Sequence, residues 1–414
     1  MRIQIITAGT MGSVAPYTGL GHRLFAEGHD VEIVTHAKFA DVVACCGLRM
    51  RALAADPFED LLDAHARMRR GPRSPLAGVR FVRATERAAL SLVDGILTGI
   101  DLKADLVLLS ALTAPLGRVV ADYHALPSMG VFLQPDTPTS AFSPCTTAWR
   151  PPGHANRLRG HVANALLDAV YSAANRELHL RLGLAHRGTH RLRVARERAG
   201  WPIWHGFSPS VVPRPADWRP GLGVAGYWWP HECADWQPPA LVTDFLAAGP
   251  PPVFVGFGSM MPGDPGRLAG LTAEALRRAG LRGVVQSGWA GLSVLNDDVI
   301  TVGPMPHGWL MPRTAAVVHH AGAGTTAAGL RAGVPAVPVP VLTDQPWWAE
   351  RLTRLGVSPG ALPFARLTAD RLAAALRRAT GEPRFARRAT ELAARLGLED
   401  GAGAVARAVA ERGR

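Results

Sequence analysis

Apolar runs and helical patterns alternate along the first third of the chain. The runs at Ile3–Thr7, Val31–Thr35, Leu106–Ser110 and Met129–Leu133 are apolar at mostly consecutive positions, interrupted only at Gln4 and Glu32 before the polar ends of the first three. Strands of that kind are buried on both faces, which predicts a parallel sheet covered by helices. Helices are predicted between them at Val14–Glu27, Ala37–Cys46 and Leu116–His124. Residues Pro57–Ile100 break the alternation with Arg-rich, helix-prone sequence, which reads as an insertion.

Between Ile203 and Pro239 the texture changes to Pro, Gly and Trp with no helical period. Proline removes a backbone donor and fixes φ, so this stretch reads as an extended connection, its tryptophans holding it to a domain. The alternation then restarts. "PPVFVGFGSM", "RGVVQSGW", "VITVGPM", "AAVVHHAG" and "PAVPVPV" are predicted strands. Helices follow at Arg267–Ala279, Thr325–Ala332 and Pro346–Leu355, and Arg384–Arg412 is helical. The expected organisation is a doubly wound α/β domain over 1–215, a linker over 216–240, a second such domain over 241–390, and a C-terminal helix over 391–414 that packs back on the first domain. Ligands of such sheets sit at the carboxyl ends of strands.

Composition adds limits. A chain of 414 residues is long enough for two domains, and 48% hydrophobic with 19% charged residues is ordinary for a globular protein. The net charge is +12, carried almost wholly by arginine, with Lys38 and Lys103 the only lysines. The basic residues are scattered apart from clusters at Arg67–Arg73 and Arg187–Arg198, without the aromatic-interleaved stripe of a nucleic-acid surface. An anionic substrate or a membrane surface remains as a partner for that charge. Cys45, Cys46, Cys145 and Cys233 show neither C-x-x-C nor metal spacing and read as reduced thiols of a cytoplasmic protein without a bound metal. No apolar run approaches the ~18–20 residues of a membrane span, and the first apolar run is a strand rather than a signal peptide.

The densest chemistry lies in "VVHHAGAGTTAAGLRAGVPAVPVPVLTDQPWWAERL". Gly322 and Gly324 allow a tight turn, and Thr325 and Thr326 open a helix whose free N–H groups favour phosphate, with His320 as a further donor. No lysine follows the glycines, so this is not a Walker loop; a purely structural turn is the alternative. Asp344 and Gln345 suit the vicinal hydroxyls of a sugar, with Trp347 and Trp348 offering apolar faces, or Asp344 caps the next helix.

Together with "GFSPSVVPRPADW…GYWW", "PPVFVGFGSM" and "PHGWLMPRTAAVVHH", this segment resembles family 1 nucleotide-sugar glycosyltransferases of the GT-B fold. The bacterial glycopeptide-type antibiotic enzymes and the sterol glucosyltransferases are the nearest forms. The resemblance is strong from Trp204 to Leu355 and looser in "AGTMGSVAPYTGLG". It implies two Rossmann-like domains facing across a cleft. It implies that His320 and the Gly322–Thr326 turn hold a diphosphate, that Asp344 and Gln345 bind the donor sugar, and that Ser259 lies near both. Trp289 and the Met305–Trp309 loop, including His307, would wall the nucleobase pocket. The implied reaction is an inverting, metal-independent transfer of a hexose from a dTDP- or UDP-sugar to an apolar small molecule, with no cofactor.

Thr10, Met11, Gly12 and Trp149 would face the acceptor. The family's base is a His or Asp in the first turn, where this chain has Ser13, and Ser110 and Ala111 stand where an orienting carboxylate is expected. A serine hydroxyl is not basic near neutral pH. Either Asp136, after the fourth predicted strand, is the base, with His22 a weaker candidate; or the acceptor is itself acidic; or the chain is a non-catalytic nucleotide-sugar-binding partner. A two-domain sugar-nucleotide epimerase is a further alternative, against which "TDQPWW" argues. Ser13 also reads as the N-cap of the first helix.

Overall fold

The computed structural model describes residues 1–53, 75–145, 155–233, 235–258, 264–288, 291–294 and 296–412. They form two compact units, Met1–Cys233 with Asp400–Arg414, and Ala234–Glu399.

The first unit runs β1 (Arg2–Ile6), α1 (Met11–Ala26), β2 (Asp30–His36), α2 (Ala40–Ala44), β3 (Arg49–Leu53), α3 (Pro75–Gly99), β4 (Leu106–Leu109), α4 (Ala114–Tyr123) and β5 (Ser128–Phe132). Three helices, α5 (Asn156–Val170), α6 (Ser172–Arg181) and α7 (Thr189–Arg198), precede β6 (Ile203–His205) and β7 (Leu222–Val224). All seven strands are parallel, in the order β3-β2-β1-β4-β5-β6-β7. Ile3 pairs with Val31 on one side and Leu106 on the other, and all three are buried. The largely apolar character of these strands is the consequence of burial on both faces.

The second unit runs α8 (Ala240–Ala247), β8 (Val253–Gly256), α9 (Pro265–Ala279), β9 (Gly283–Gln286), β10 (Val299–Val302), α10 (His307–Leu310), β11 (Ala316–His319), α11 (Ala323–Ala332) and β12 (Ala336–Pro338). Its sheet is also parallel, ordered β10-β9-β8-β11-β12. After β12 come α12 (Gln345–Arg354), α13 (Ala369–Gly381), α14 (Pro383–Gly397) and α15 (Gly401–Ala410).

Several expectations are corrected. The second half of the expected insertion is α3, the crossover helix that packs on β3 and leads to β4; residues 54–74 lie outside the described residues. The stretch read as a linker contributes β7, and before it β6, to the first sheet. Each is only three residues long and set among Pro and Gly, too short to show a period. The tryptophans there do serve as anchors: Trp228 is buried against Tyr17, with ring centroids 5.6 Å apart. The C-terminal helix is two helices, broken at Leu398–Asp400, where the Asp400 carboxylate accepts the Gly403 N–H at 2.9 Å and starts α15. Only α15 returns to the first unit, placing Val405, Ala406 and Val409 in one core with Ile3, Tyr17 and Leu20. Cys45 and Cys233 are disulfide-bonded with Cα atoms 5.5 Å apart, while Cys46 and Cys145 are buried thiols. The paired cysteines are 188 positions apart, so no local spacing announces them. Among the described residues no helix is long and apolar enough to cross a membrane, and no group of three His, Cys, Asp or Glu is placed to hold a metal ion.

His205, at the end of β6, is fully buried and stacked on Trp218 with centroids 4.6 Å apart. Its Nδ1–H donates to the Gly223 carbonyl at 2.8 Å, and Nε2 has no partner. Burial pushes its pKa down to about 4 from an ordinary 6.5. Below pH 6.5 the unfolded chain therefore binds a proton that the folded chain refuses, so stability is lost as pH falls toward 4. That costs up to about 3 kcal/mol from this one group. Urea unfolding between pH 7 and pH 4 is expected to show the midpoint falling with pH, and less steeply in His205→Phe.

Candidate active site

In each sheet the first strand lies between neighbours reached in opposite directions, β1 between β2 and β4, and β8 between β9 and β11. Loops leaving such a pair diverge and open a crevice at the carboxyl ends of the strands. The predicted chemistry falls at these two places.

In the second unit Gly256 of β8 pairs with His319 of β11. His319 is fully buried; its Nδ1 accepts the Ala321 N–H at 3.1 Å, while Nε2 has no partner. Burial, and then the neighbouring imidazoles, lower its pKa to about 3. His320 is half-buried and wedged between two glycines. A Cβ on Gly322 would lie 2.4 Å from its Nε2, and one on Gly258 3.0 Å from its Cε1. Its pKa is lowered to about 4 by burial and by His307; the Gly256 backbone opposes this without making a hydrogen bond to Nδ1. His307, edge-on to Phe254 at 5.6 Å, is lowered to about 4 by burial alone. All three imidazoles are therefore neutral near pH 7.

The turn that follows is prepared for an anion. Gly322 is the N-cap of α11 and gives no side-chain cap, and the first intrahelical bond runs from the Thr326 N–H to the Gly322 carbonyl at 2.9 Å. The N–H groups of Ala323, Gly324 and Thr325 precede it. The Thr326 hydroxyl is buried without a partner. Ala321 (φ 62°) and Thr343 (φ 51°) are in the left-handed region that favours glycine, and both lie in the segments that carry the predicted site.

Asp344 starts α12, but its side chain does not cap the helix. Its oxygens instead accept Trp348 Nε1–H and Thr343 Oγ1–H, both at 3.0 Å, and burial raises its pKa. Gln345 is buried, and its Oε1 accepts the N–H groups of Val341 and Leu342 at 2.8 and 3.0 Å. A sugar hydroxyl would thus meet only the donor side of that amide. The expectation that Trp347 and Trp348 offer open faces to a sugar is corrected: both are buried and packed edge-to-face at 4.9 Å, anchoring α12. Met305 is half-buried against the apolar cluster of Phe254 and Val317. Ser259, Trp289 and Trp149 lie outside the described residues.

In the first unit the Gly9 turn follows β1 with φ 126°, and its N–H donates to Nε2 of buried His36 at 3.1 Å. Ser13 is not the N-cap. The helix begins at Met11, Thr10 is the N-cap residue without a side-chain bond, and the Ser13 N–H already bonds the Thr10 carbonyl at 2.8 Å. The Ser13 side chain lies over Gly9, where a Cβ would come within 2.9 Å of its Oγ. Met11 and Gly12 are exposed at the helix start.

Asp136 is half-buried just beyond β5 and accepts the Cys145 thiol at 3.2 Å. It sits close enough to Tyr17, one turn along α1 from Ser13, to add to the rise that burial causes in the phenol's pKa. Ser110 bonds Thr113, 3.0 Å between hydroxyls. His22 faces elsewhere, stacked on His231 at 3.8 Å with Nδ1 on the Cys46 carbonyl. Sequence reasoning passed over His36 and Cys145. The signal for His36 was its place at the end of the strand beside β1; nothing local connects Cys145 to Asp136.

Both units are doubly wound, one with uncapped helix N–H groups after a glycine turn and the other with a carboxylate at a strand end. Residues 3–143 match the glycosyltransferase family 28 N-terminal domain, and residues 285–409 match the erythromycin biosynthesis protein CIII-like C-terminal domain. The chain is 35% identical to O-mycaminosyltylonolide 6-deoxyallosyltransferase of Streptomyces fradiae, over 97% of this chain and 95% of that protein. It is 34% identical, over 90% of its length, to a sterol 3-beta-glucosyltransferase of Arabidopsis thaliana, of which it spans 59%. The solved glycotransferase of kitacinnamycin shares the fold, with TM-score 0.71 and 19% identity over 99% of this chain and 98% of that one. So does the glycosyltransferase VinC in complex with dTDP, with TM-score 0.65 and 19% identity over all of both chains. The chain belongs to this GT-B glycosyltransferase family.

The left-handed Ala321 yields a direct check. Ala321→Gly is expected to stabilise the fold by about 1 kcal/mol, because glycine adopts that conformation without a Cβ penalty. A higher urea midpoint with an unchanged slope is the expected reading.

Proposed function

We propose that the chain transfers a hexose from a dTDP- or UDP-sugar to a hydroxyl, or another acidic group, of an apolar small molecule, inverting the anomeric carbon. The observation that carries this reading is the turn after β11, where uncapped N–H groups adjoin a buried threonine hydroxyl and imidazole nitrogens that lack partners. A diphosphate supplies what all of them lack. The names of the relatives, a deoxyallosyltransferase and a sterol glucosyltransferase, and the dTDP bound to VinC support the same chemistry.

In this reading His320 and Gly322–Thr326 hold the diphosphate, Asp344 and the amide of Gln345 meet the sugar, and Met305 and His307 face the base, with Ser259 and Trp289 assigned by resemblance. The acceptor oxygen attacks the anomeric carbon, the bond to the diphosphate breaks, and its electron pair leaves with the nucleoside diphosphate. The acceptor's proton passes to the Asp136 carboxylate. Charge grows on the leaving oxygen, and the helix N–H groups and His320 stabilise it in the role a cation plays in other transferases. Thr10, Met11, Gly12 and Ser13 border the acceptor, with Trp149 assigned there from the sequence alone. A second reading, a nucleotide-sugar-binding partner without turnover, is favoured by Ser13 resting on Gly9 where a base would stand.

Isothermal titration with dTDP, UDP and ADP tests the donor site. Selective binding of dTDP or UDP is expected, weakened at least about tenfold, ~1.4 kcal/mol, in His320→Ala and in Gly322→Ala, whose Cβ displaces the imidazole. Binding of none of the three would sink the reading. Asp136→Asn is expected to abolish transfer while leaving donor binding intact; unchanged turnover removes Asp136 as base. Donor binding without transfer to any hydroxyl or phenol acceptor favours the second reading.

A further inference from the structure

Between β5 and β6 the first unit inserts three helices, where a single α-helix joins β1 to β2, β2 to β3 and β4 to β5. Along α5, Leu158, Val162 and Leu166 recur every fourth residue and are 66%, 54% and 64% exposed. Leu167 beside them is 45% exposed, and Leu180 in the last turn of α6 is 74% exposed. Exposed aliphatic residues scattered singly are ordinary, but a continuous row along one helix marks an interaction surface.

The charge on the same helices is lopsided. Residues 155–200 hold nine arginines against three acidic residues, which is half of the whole chain's excess of 12. All three acids are already paired with arginines of these helices: Asp168 and Glu197 each with Arg193 at 3.0 Å, and Glu177 with Arg181 at 2.6 Å. Arg157, Arg176, Arg187, Arg191 and Arg198 are exposed and have no acidic partner among the described residues. Arg157 and His161 each directly precede a member of the apolar row and share its exposed side of α5.

We propose that this three-helix face docks on a lipid surface with anionic headgroups. The Leu158–Val162–Leu166 row enters the acyl boundary, and the unpaired arginines lie over lipid phosphates. A second copy of the chain is a poor occupant, because a two-fold interface would bring the unpaired arginines of both copies together. A polyanion without apolar surface would leave the leucine row wet. The inference is independent of the sugar-transfer reading and locates the first unit at a bilayer surface.

Vesicle co-sedimentation of the full chain tests it, with phosphatidylcholine alone and with phosphatidylcholine containing phosphatidylglycerol. Binding is expected to the anionic vesicles and to weaken several-fold as salt rises. Leu158→Ser with Leu166→Ser is expected to reduce it at least tenfold, with the thermal midpoint unchanged because both side chains are exposed. Arg157→Ala with Arg191→Ala should lower binding and flatten its salt dependence. Failure to bind either vesicle, or wild-type binding by the leucine variant, overturns the proposal. So does a concentration-dependent doubling of mass by light scattering that the leucine variant abolishes, since that assigns the face to a second copy.

Discussion

Both sheets wind outward in two directions from their first strand, and this constraint governs the rest. Right-handed crossovers place helices on opposite faces as the chain moves to β2 on one side of β1 and later to β4 on the other. The loops at the carboxyl ends must then part. In the first unit that gap holds Gly9, His36 and Ser13; in the second it holds Gly258, His319 and His320. Topology sets where chemistry can occur before any side chain is chosen for it.

The two gaps differ in how well their polar groups are satisfied. Around Gly9 the backbone N–H has His36, the Thr7 hydroxyl donates to the Ser13 carbonyl at 2.8 Å, and Asp136 receives a thiol. Around His320 several buried polar atoms are unmatched and two residues hold left-handed backbone. Unmatched buried groups and backbone strain persist only where surrounding packing enforces them. Here the enforcement comes from β8 and β11, which are buried throughout. The gap of the second unit therefore keeps unmatched imidazole and hydroxyl groups, whereas the Gly9 N–H and the Asp136 carboxylate of the first are engaged.

Much of this was legible in the chain. β1, β2, β4, β5 and β8–β11 announce themselves because strands buried on both faces are mostly apolar, with few polar interruptions such as Gln4 and Glu32. β3 does not: in "RMRAL" apolar and polar residues alternate at a sheet edge. The helices α5–α7 were missed because their exposed sides mix leucine with arginine and blur the helical period. The anion-ready turn was readable since all its parts are local. The burial of Trp347 and Trp348 and the Cys45–Cys233 bond depend on contacts between distant segments. Local sequence carries no trace of them.

The return of α15 to the first unit has a consequence for synthesis on the ribosome. Val405, Ala406 and Val409 belong to the same core as Ile3 and Tyr17, so that core cannot close when the first sheet has emerged. It stays open while Ala234–Glu399 is made. At ~5–20 residues per second this is roughly 10–30 s. The later unit, contiguous in the chain, is free to fold first, and the unit that precedes it is finished after it. During that interval the apolar groove awaiting α15 is what a chaperone would find.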